Sequence, residues 1–367
     1  MKKCKNLILM LLVAVMLFSL CACGGTNNDN KTNDDTGTKV VTDACGREVT
    51  IPETVKSVIC VGVGSLRFTT YMDALDLLVG VEENELGVGA QKPFAYLHQD
   101  VWEKLPQTGN NGETYDEQII SANPDVIIAQ MDKDTADAYQ KKTGIPVVTI
   151  PMVEGLLDDA VFDMINLLGE VYGKQDRAKE LTDYLTAMKQ DIADRVAKVD
   201  KDKIPSVYVS GVSFKGAHGF EGTEAGYAPL AALQGNNIAD ATGKSGAFDM
   251  DIEQVLKVDP DYIFVDTSNL DLVKQQYAEN PAFYNSLTAV KENRVFSQIS
   301  FRFCATNVEL ALADMYYMAT VIYPEAFADV DPVEKANEIF KMFLGADDFY
   351  STLNEAGYSF GPVDITK

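Results

Sequence analysis

The sequence predicts an α/β protein of two lobes, each built on a central, mainly parallel sheet, with a long α-helix joining them. Three features carry that expectation. A segment of fifteen residues, Tyr115 to Ala129, recurs 136 positions later as Asp251 to Val265. Each copy runs from a short Glu-Gln-bearing helix through a Pro-Asp turn into an unbroken apolar run, the pattern of a strand buried on both faces of a parallel sheet. Between the copies the apolar residues keep helical spacing.

Reading from the start of the chain, Lys2, Lys3 and Lys5 precede an apolar run from Leu7 to Leu20. A basic end before a run too short to span a bilayer is the layout of a secretory leader, assigned here to residues 1–22. Leu20-Cys21-Ala22-Cys23 resembles a bacterial lipobox. The resemblance implies cleavage before Cys23 and a diacylglycerol on its sulfur, so the mature chain is expected outside the cytoplasm, anchored to the cell membrane by lipid. Residues 23–38 contain no large apolar side chain and read as a flexible tether. At ~3.3 Å per residue such a tether reaches at most ~50 Å.

The remaining chain is long enough for two lobes, and 46% hydrophobic residues supply material for their cores. A formal charge of −24 repels nucleic acid and anionic lipid surfaces alike, which removes both from the candidate partners. Of six cysteines, Cys4 and Cys21 leave with the leader and Cys23 carries lipid. The three that remain, Cys45, Cys60 and Cys304, are odd in number and lack metal-ligand spacing, so they read as small buried side chains.

The first lobe is expected over residues 39–155. Its opening strand follows Ser57-Val58, and the Gly62-x-Gly64 after it reads as a tight strand-to-helix turn, because the third glycine of a dinucleotide fingerprint is absent. A fainter repeat pairs Ser57-Val58 and Gly62-Val63 with Ser206-Val207 and Gly211-Val212, marking the first strand of a second lobe over residues 174–367. Leu157, Val161, Ile165 and Leu168 form the apolar face of a connecting helix at 156–173. Ala178, Leu181, Leu185, Met188, Ile192 and Val196 continue with a second helix. A helical link predicts lobes that rock through small angles. The stretch after Tyr323 is expected to pack on the second lobe.

The opening Asp43-Ala44-Cys45-Gly46-Arg47-Glu48-Val49-Thr50-Ile51-Pro52, the two Pro-Asp-apolar strands, Asn280-Pro281-Ala282-Phe283-Tyr284 and Asn293-Arg294-Val295-Phe296 together resemble the substrate-binding lipoproteins of ABC importers for iron-siderophore, haem and cobalamin complexes. The resemblance spans roughly Lys39 to Tyr323. It implies Rossmann-like lobes, a long connecting helix, a shallow cleft between the lobes, and a monomer that delivers its ligand to ABC permease subunits. Family members present one glutamate from each lobe to the permease, and the matching positions are Glu117 and Glu253. Their equivalent places in the repeat suit a two-fold symmetric partner. This chain has Phe301-Arg302-Phe303-Cys304 where the family commonly has a tryptophan and Arg-Pro.

A ligand is expected where loops leave the carboxyl ends of the strands. The candidate ligand-binding residues are Arg67, Tyr71, Lys92 and Tyr96 in the first lobe, and Lys215, His218, Tyr227, Phe301 and Arg302 in the second. They mix aromatic rings with cations in an acidic protein. That composition fits a flat or greasy metal chelate bearing negative charge, an iron-siderophore or similar iron complex, held by stacking and by cations against oxygen anions. Arg302 is expected to face the cleft; Arg67 either does so or pairs with Asp73 or Asp76. The two histidines, His98 and His218, fall one in each lobe, which leaves open a bare metal ion held between them. No cofactor is called for. The chain lacks a nucleophile elbow, a His-Glu-x-x-His helix and a phosphate-binding loop, so a binder is expected and not an enzyme; a ligand-sensing surface receptor that feeds no permease is the other reading the sequence leaves open.

Overall fold

The computed structural model describes residues 37–153, 155–303 and 305–367. The leader, Cys23, nearly all of the tether and Cys304 lie outside the described residues. Thr38, assigned to the tether by composition, already pairs with Pro52 in the first hairpin.

That hairpin, β1 (Thr38–Thr42) and β2 (Glu48–Pro52), is closed by Asp43, whose carboxylate accepts from the Arg47 amide at 2.9 Å and from its guanidinium at 2.8 Å. The first lobe continues through β3 (Val58–Val61), α1 (Ser65–Tyr71), β4 (Val81–Glu82), the single turns α2 (Pro93–Tyr96) and α3 (Gln99–Trp102), β5 (Gln107–Asn110) and β6 (Glu113–Thr114). It ends with α4 (Asp116–Ala122), β7 (Val126–Ala129), α5 (Lys133–Thr143) and β8 (Val147–Thr149). Strands β3, β7 and β8 form a parallel sheet in that order, and β4, β5 and β6 a smaller one beside it.

Two helices follow, α6 (Asp159–Tyr172) and α7 (Gln175–Val196). Both follow the predicted periodicity, except that α6 starts at Asp159 and leaves Leu157 outside it, and Gly173 turns between them with a φ of 67°. They lie close: a Cβ on Gly169 would sit 2.6 Å from that of Ala178. The 22 residues of α7, about 33 Å at 1.5 Å per residue, carry the chain to the second lobe, so the link is this helix and not the stretch 156–173 expected from the sequence, and the second lobe's first strand begins only at Ser206.

There the order is β9 (Ser206–Ser210), β10 (Gly222–Ala225), α8 (Ala228–Ala232), β11 (Asn236–Asn237), β12 (Gly246–Asp249), α9 (Ile252–Val258), β13 (Tyr262–Asp266), α10 (Leu270–Glu279), α11 (Pro281–Tyr284) and α12 (Thr288–Lys291). The chain closes with β14 (Val295–Gln298), α13 (Val308–Ile322), α14 (Pro332–Leu344), α15 (Phe349–Glu355) and β15 (Gly361–Pro362). The sheet order is β11-β9-β13-β14-β15, parallel except for the edge strand β15.

The internal repeat is structural. In each lobe a seven-residue helix ends in a left-handed residue, Asn123 (φ 47°) or Asp259 (φ 50°), and the Pro-Asp that follows opens a strand. The turn aspartate then clasps the serine at the start of the lobe's first strand. Asp125 accepts from the Ser57 amide at 3.1 Å, and its own amide donates to Ser57 Oγ at 2.9 Å. Asp261 and Ser206 repeat the pair at 2.8 and 3.0 Å. These reciprocal bonds fix the register in which β7 lies beside β3 and β13 beside β9.

Both sheets are buried on both faces, as continuous apolar runs require. Alternate residues sort by side: Ile59, Val61, Ile127, Ala129 and Val147 pack outward under α4 and α5, whereas Val58, Cys60, Val126, Ile128 and Val148 face inward. In the second lobe Tyr208, Ile263 and Val265 face outward, and Val207, Val209 and Phe264 inward. The inward faces share one continuous core with α1, α6, α7, α13 and α14, so the lobes are not two bodies on a bare link. The C-terminal stretch therefore reaches further than expected. Phe343 of α14 packs edge-on against Tyr71 at 5.0 Å, and Phe349 meets Tyr96 at 6.1 Å, so both reach the first lobe as well as the second.

Candidate functional site

A cavity of about 430 Å³ opens at the carboxyl ends of the second lobe's strands. Ser213 and Lys215 come from the loop after β9, Ser268 from the turn after β13, and Ser300, Arg302 and Phe303 from the loop after β14, while Gln91 comes from the first lobe. Phe214 and Tyr358 complete its aromatic wall. None of the lining residues is acidic, in a chain carrying 55 Asp and Glu against 31 Lys and Arg.

The loops after β13 and β14 are each positioned through a buried carboxylate. Asp266, at the end of β13, accepts from the Ser268 amide at 2.9 Å and so shapes the turn that presents Ser268. Burial pushes its carboxyl up to about 7. Asp314 of α13 accepts from the Ile299 amide at 2.9 Å, holding the start of the loop that carries Ser300 and Arg302; burial pushes this carboxyl well up too. Lys215 takes a left-handed backbone with a φ of 52°, and the Phe214 amide donates to the Gly216 carbonyl at 3.1 Å.

Arg302 lines this cavity, but not as a lone cation. Glu224 of β10, itself nearly inaccessible, receives its Nε at 2.6 Å and also its Nη2, while Nη1 donates to Thr306 Oγ1 at 3.2 Å. Arg302 also borders a second cavity of about 520 Å³ on the α7 side, whose walls include Leu156, Leu157, Ile192 and Ala228.

Other predicted residues are placed differently. Phe301 and Tyr227 are buried, their rings 5.3 Å apart, and back the loop from within. Arg67 is buried and does not pair with Asp73 or Asp76; it donates to Asn307 Oδ1 at 3.0 Å and to the Phe303 carbonyl at 3.2 Å, with its guanidinium 4.9 Å from the Phe94 ring. Asp73 and Asp76 instead face Lys174. Tyr71 is fully buried and donates to Glu309 of α13. Arg67 and Tyr71 therefore tie α1 to the second lobe. Lys92 is also fully buried; its ammonium meets Glu85 at 2.7 Å and the Asn84 carbonyl at 2.9 Å, and it does not line the cavity. Tyr96 is exposed beside Phe349.

The histidines are engaged separately. His218 stacks on Phe214 at 3.7 Å, with Nδ1 2.8 Å from Asp249 and Nε2 2.8 Å from the Phe214 carbonyl. His98 lies against Trp102, and burial pushes its imidazole down. Among the described residues no group of three or more His, Cys, Asp and Glu side chains is arranged to hold a metal ion. Cys60 is buried, with its thiol pushed up to about 12 by desolvation and its Sγ 3.2 Å from Thr69 Oγ1. Cys45 is partly buried, its Sγ 3.6 Å from the Met131 carbonyl.

Glu117 and Glu253 occupy the second position of α4 and α9, and both are exposed. Among the described residues neither carboxylate belongs to an ion pair.

A family model described as periplasmic binding protein matches residues 68–298, more than half of the chain. The chain belongs to that family. Among curated proteins, this periplasmic binding protein is 25% identical over 334 residues to the molybdate-binding protein MolA of Haemophilus influenzae, covering 83% of this chain and 90% of MolA. It is 24% identical over 289 residues to the Fe(3+)-citrate-binding protein YfmC of Bacillus subtilis, covering 78% and 86%. Among solved structures it superposes on MolA bound to molybdate with a TM-score of 0.65 at 23% identity, over 84% of this chain and 98% of that one. A periplasmic solute binding protein from Veillonella parvula gives 0.69 at 21% identity, over 87% and 96%. The two-lobed α/β architecture is therefore that of the family. No helix among the described residues is long and apolar enough to cross a membrane.

The cleft residues missed in the sequence, Ser213, Ser268 and Ser300, each follow a buried strand by two or three positions. Strand ends were the available signal. Tyr358 and Glu224 had none, since only the packed fold brings them to the cleft.

Proposed function

We propose that this protein is an extracytoplasmic lipoprotein, anchored through Cys23, that captures an anionic metal–oxygen complex in its inter-lobe cleft and delivers it to an ABC permease without chemical change. The observation that carries the reading is the cavity lining: Lys215, Arg302, Ser213, Ser268 and Ser300 converge there and none of the lining residues is Asp or Glu, against a strongly acidic chain, with Glu224 behind Arg302 as its counter-ion. Hydroxyls and cations are the groups that bind oxygen anions; Arg302 meets the ligand only through the N–H groups that Glu224 and Thr306 leave over. Phe214, Phe303 and Tyr358 supply ring faces for an organic ligand.

MolA, by its name, binds molybdate, and YfmC binds ferric citrate. Both are metals surrounded by oxygen with net negative charge, the chemistry this cavity suits. A volume of about 430 Å³ falls in the ~300–1,000 Å³ range of small-molecule sites and exceeds the needs of one tetrahedral oxyanion. This favours a metal chelate such as an iron-siderophore. The left-handed Lys215, a backbone state that costs a non-glycine residue about 1 kcal/mol, is consistent with a side chain held in place for binding.

Delivery is assigned to Glu117 and Glu253, which stand exposed at equivalent places in the two lobes. The test is isothermal titration of residues 37–367 with ferric citrate, a ferric hydroxamate and molybdate. Binding of one of them, weakened at least tenfold by Arg302→Ala, supports the reading.

A further inference from the structure

The two docking helices share more than a glutamate. Aligning α4 with α9 by the repeat matches Glu117 with Glu253, Gln118 with Gln254, Ile119 with Val255 and Ile120 with Leu256. Ile119 and Val255 are both fully buried and anchor their helices to the lobe. Ile120 and Leu256 are both exposed, at 47% and 37%. A single exposed aliphatic residue is ordinary and needs no explanation. An exposed aliphatic side chain, Ile in one copy of the repeat and Leu in the other, stands at the same place beside the same glutamate in both lobes.

Position adds to this. Residues three apart share a helix face, so Ile120 lies beside Glu117 and Leu256 beside Glu253. Each helix reverses into its strand across a three-residue turn, Asn123 to Asp125 or Asp259 to Asp261. Its first residues therefore stand level with the strand's carboxyl end, the end from which the cavity opens in the second lobe.

We propose that Ile120 and Leu256 are apolar contacts for one pseudo-two-fold membrane partner, each half of which offers a cation to the glutamate and an apolar shelf to the neighbouring aliphatic. This rests on the docking role of Glu117 and Glu253. The carboxylates steer encounter with a basic surface; the aliphatic side chains add contact area that slows release.

The experiment places a benzophenone amino acid at position 118, 120, 254 or 256 of the full chain in its native cell membrane, with position 333, an exposed aliphatic site on α14, as control. The expected result is an adduct from 120 and from 256 with the same carbonate-resistant membrane polypeptide or a homologous pair, and none from 333. Ile120→Ser and Leu256→Ser should each lower the adduct yield from 118 and 254 about tenfold, with the melting temperature unchanged. Adducts from 118 and 254 but none from 120 and 256 would overturn the apolar contact and leave the docking role standing. No membrane adduct from any of the four would sink both. An adduct with a second copy of this chain would show a dimer face instead.

Discussion

Arg67 of the first lobe donates to the Asn307 side chain of the second at 3.0 Å, across 240 residues of chain, directly behind the loop that carries Arg302. Beside it Tyr71 donates to Glu309, whose carboxyl is pushed up by burial. The cleft therefore has a polar floor shared by both lobes.

Tyr71→Phe should lower stability by about 1–3 kcal/mol in urea titration, because Glu309 keeps its burial and loses its donor. Arg67→Ala should cost about as much, through the lost hydrogen bonds to Asn307 and the Phe303 carbonyl and the lost contact with Phe94.

Lys92→Met should destabilise the chain by roughly 3–5 kcal/mol, since it strands the buried Glu85 carboxylate. Ligand affinity of the folded fraction should not change. The double variant with Glu85→Met should recover most of the loss. A Lys92→Met protein of normal stability that no longer binds would return Lys92 to the ligand site.

Asp266 gives a pH dependence of definite sign. Its folded value of about 7 stands above the ordinary ~3.9, so the folded state keeps a proton that the unfolded chain releases. Stability contributed by that proton is present at low pH and falls as pH rises between about 4 and 7, by up to ~1.4 kcal/mol per pH unit. Asp314, raised by the same cause, acts in the same direction. Asp266→Asn should flatten the decline in denaturation curves taken across that window. A steeper decline would contradict the assignment.

Glu117→Gln and Glu253→Gln should abolish or sharply reduce uptake in cells while leaving the titrated affinity of the isolated protein unchanged. A parallel loss of affinity would place these residues in the binding site.

The fold was legible because its parallel strands are buried on both faces, which writes continuous apolar runs after Pro-Asp at Val126 and Tyr262. The site was legible in part. Arg302 stands out as a cation between two aromatic residues, and nothing local could reveal that Glu224, 78 positions away, takes up its fork. Lys92 and Tyr71 resemble ligand groups in sequence, since a buried cation or phenol is recognised only once its partner, Glu85 or Glu309, is in place. Composition marked the residues near the cleft, and packing decided which of them face it.

The central claim is that the cavity binds an anionic metal complex through Arg302 and Lys215. It is tested most directly by thermal unfolding of residues 37–367 with ferric citrate, a ferric hydroxamate, haem, molybdate and bare divalent metals. At 100 times its dissociation constant the true ligand should add ~2.7 kcal/mol of stability, and Arg302→Ala or Lys215→Ala should remove most of that gain. A shift with bare metal alone, lost on changing His98 or His218 and indifferent to Arg302, would contradict the account.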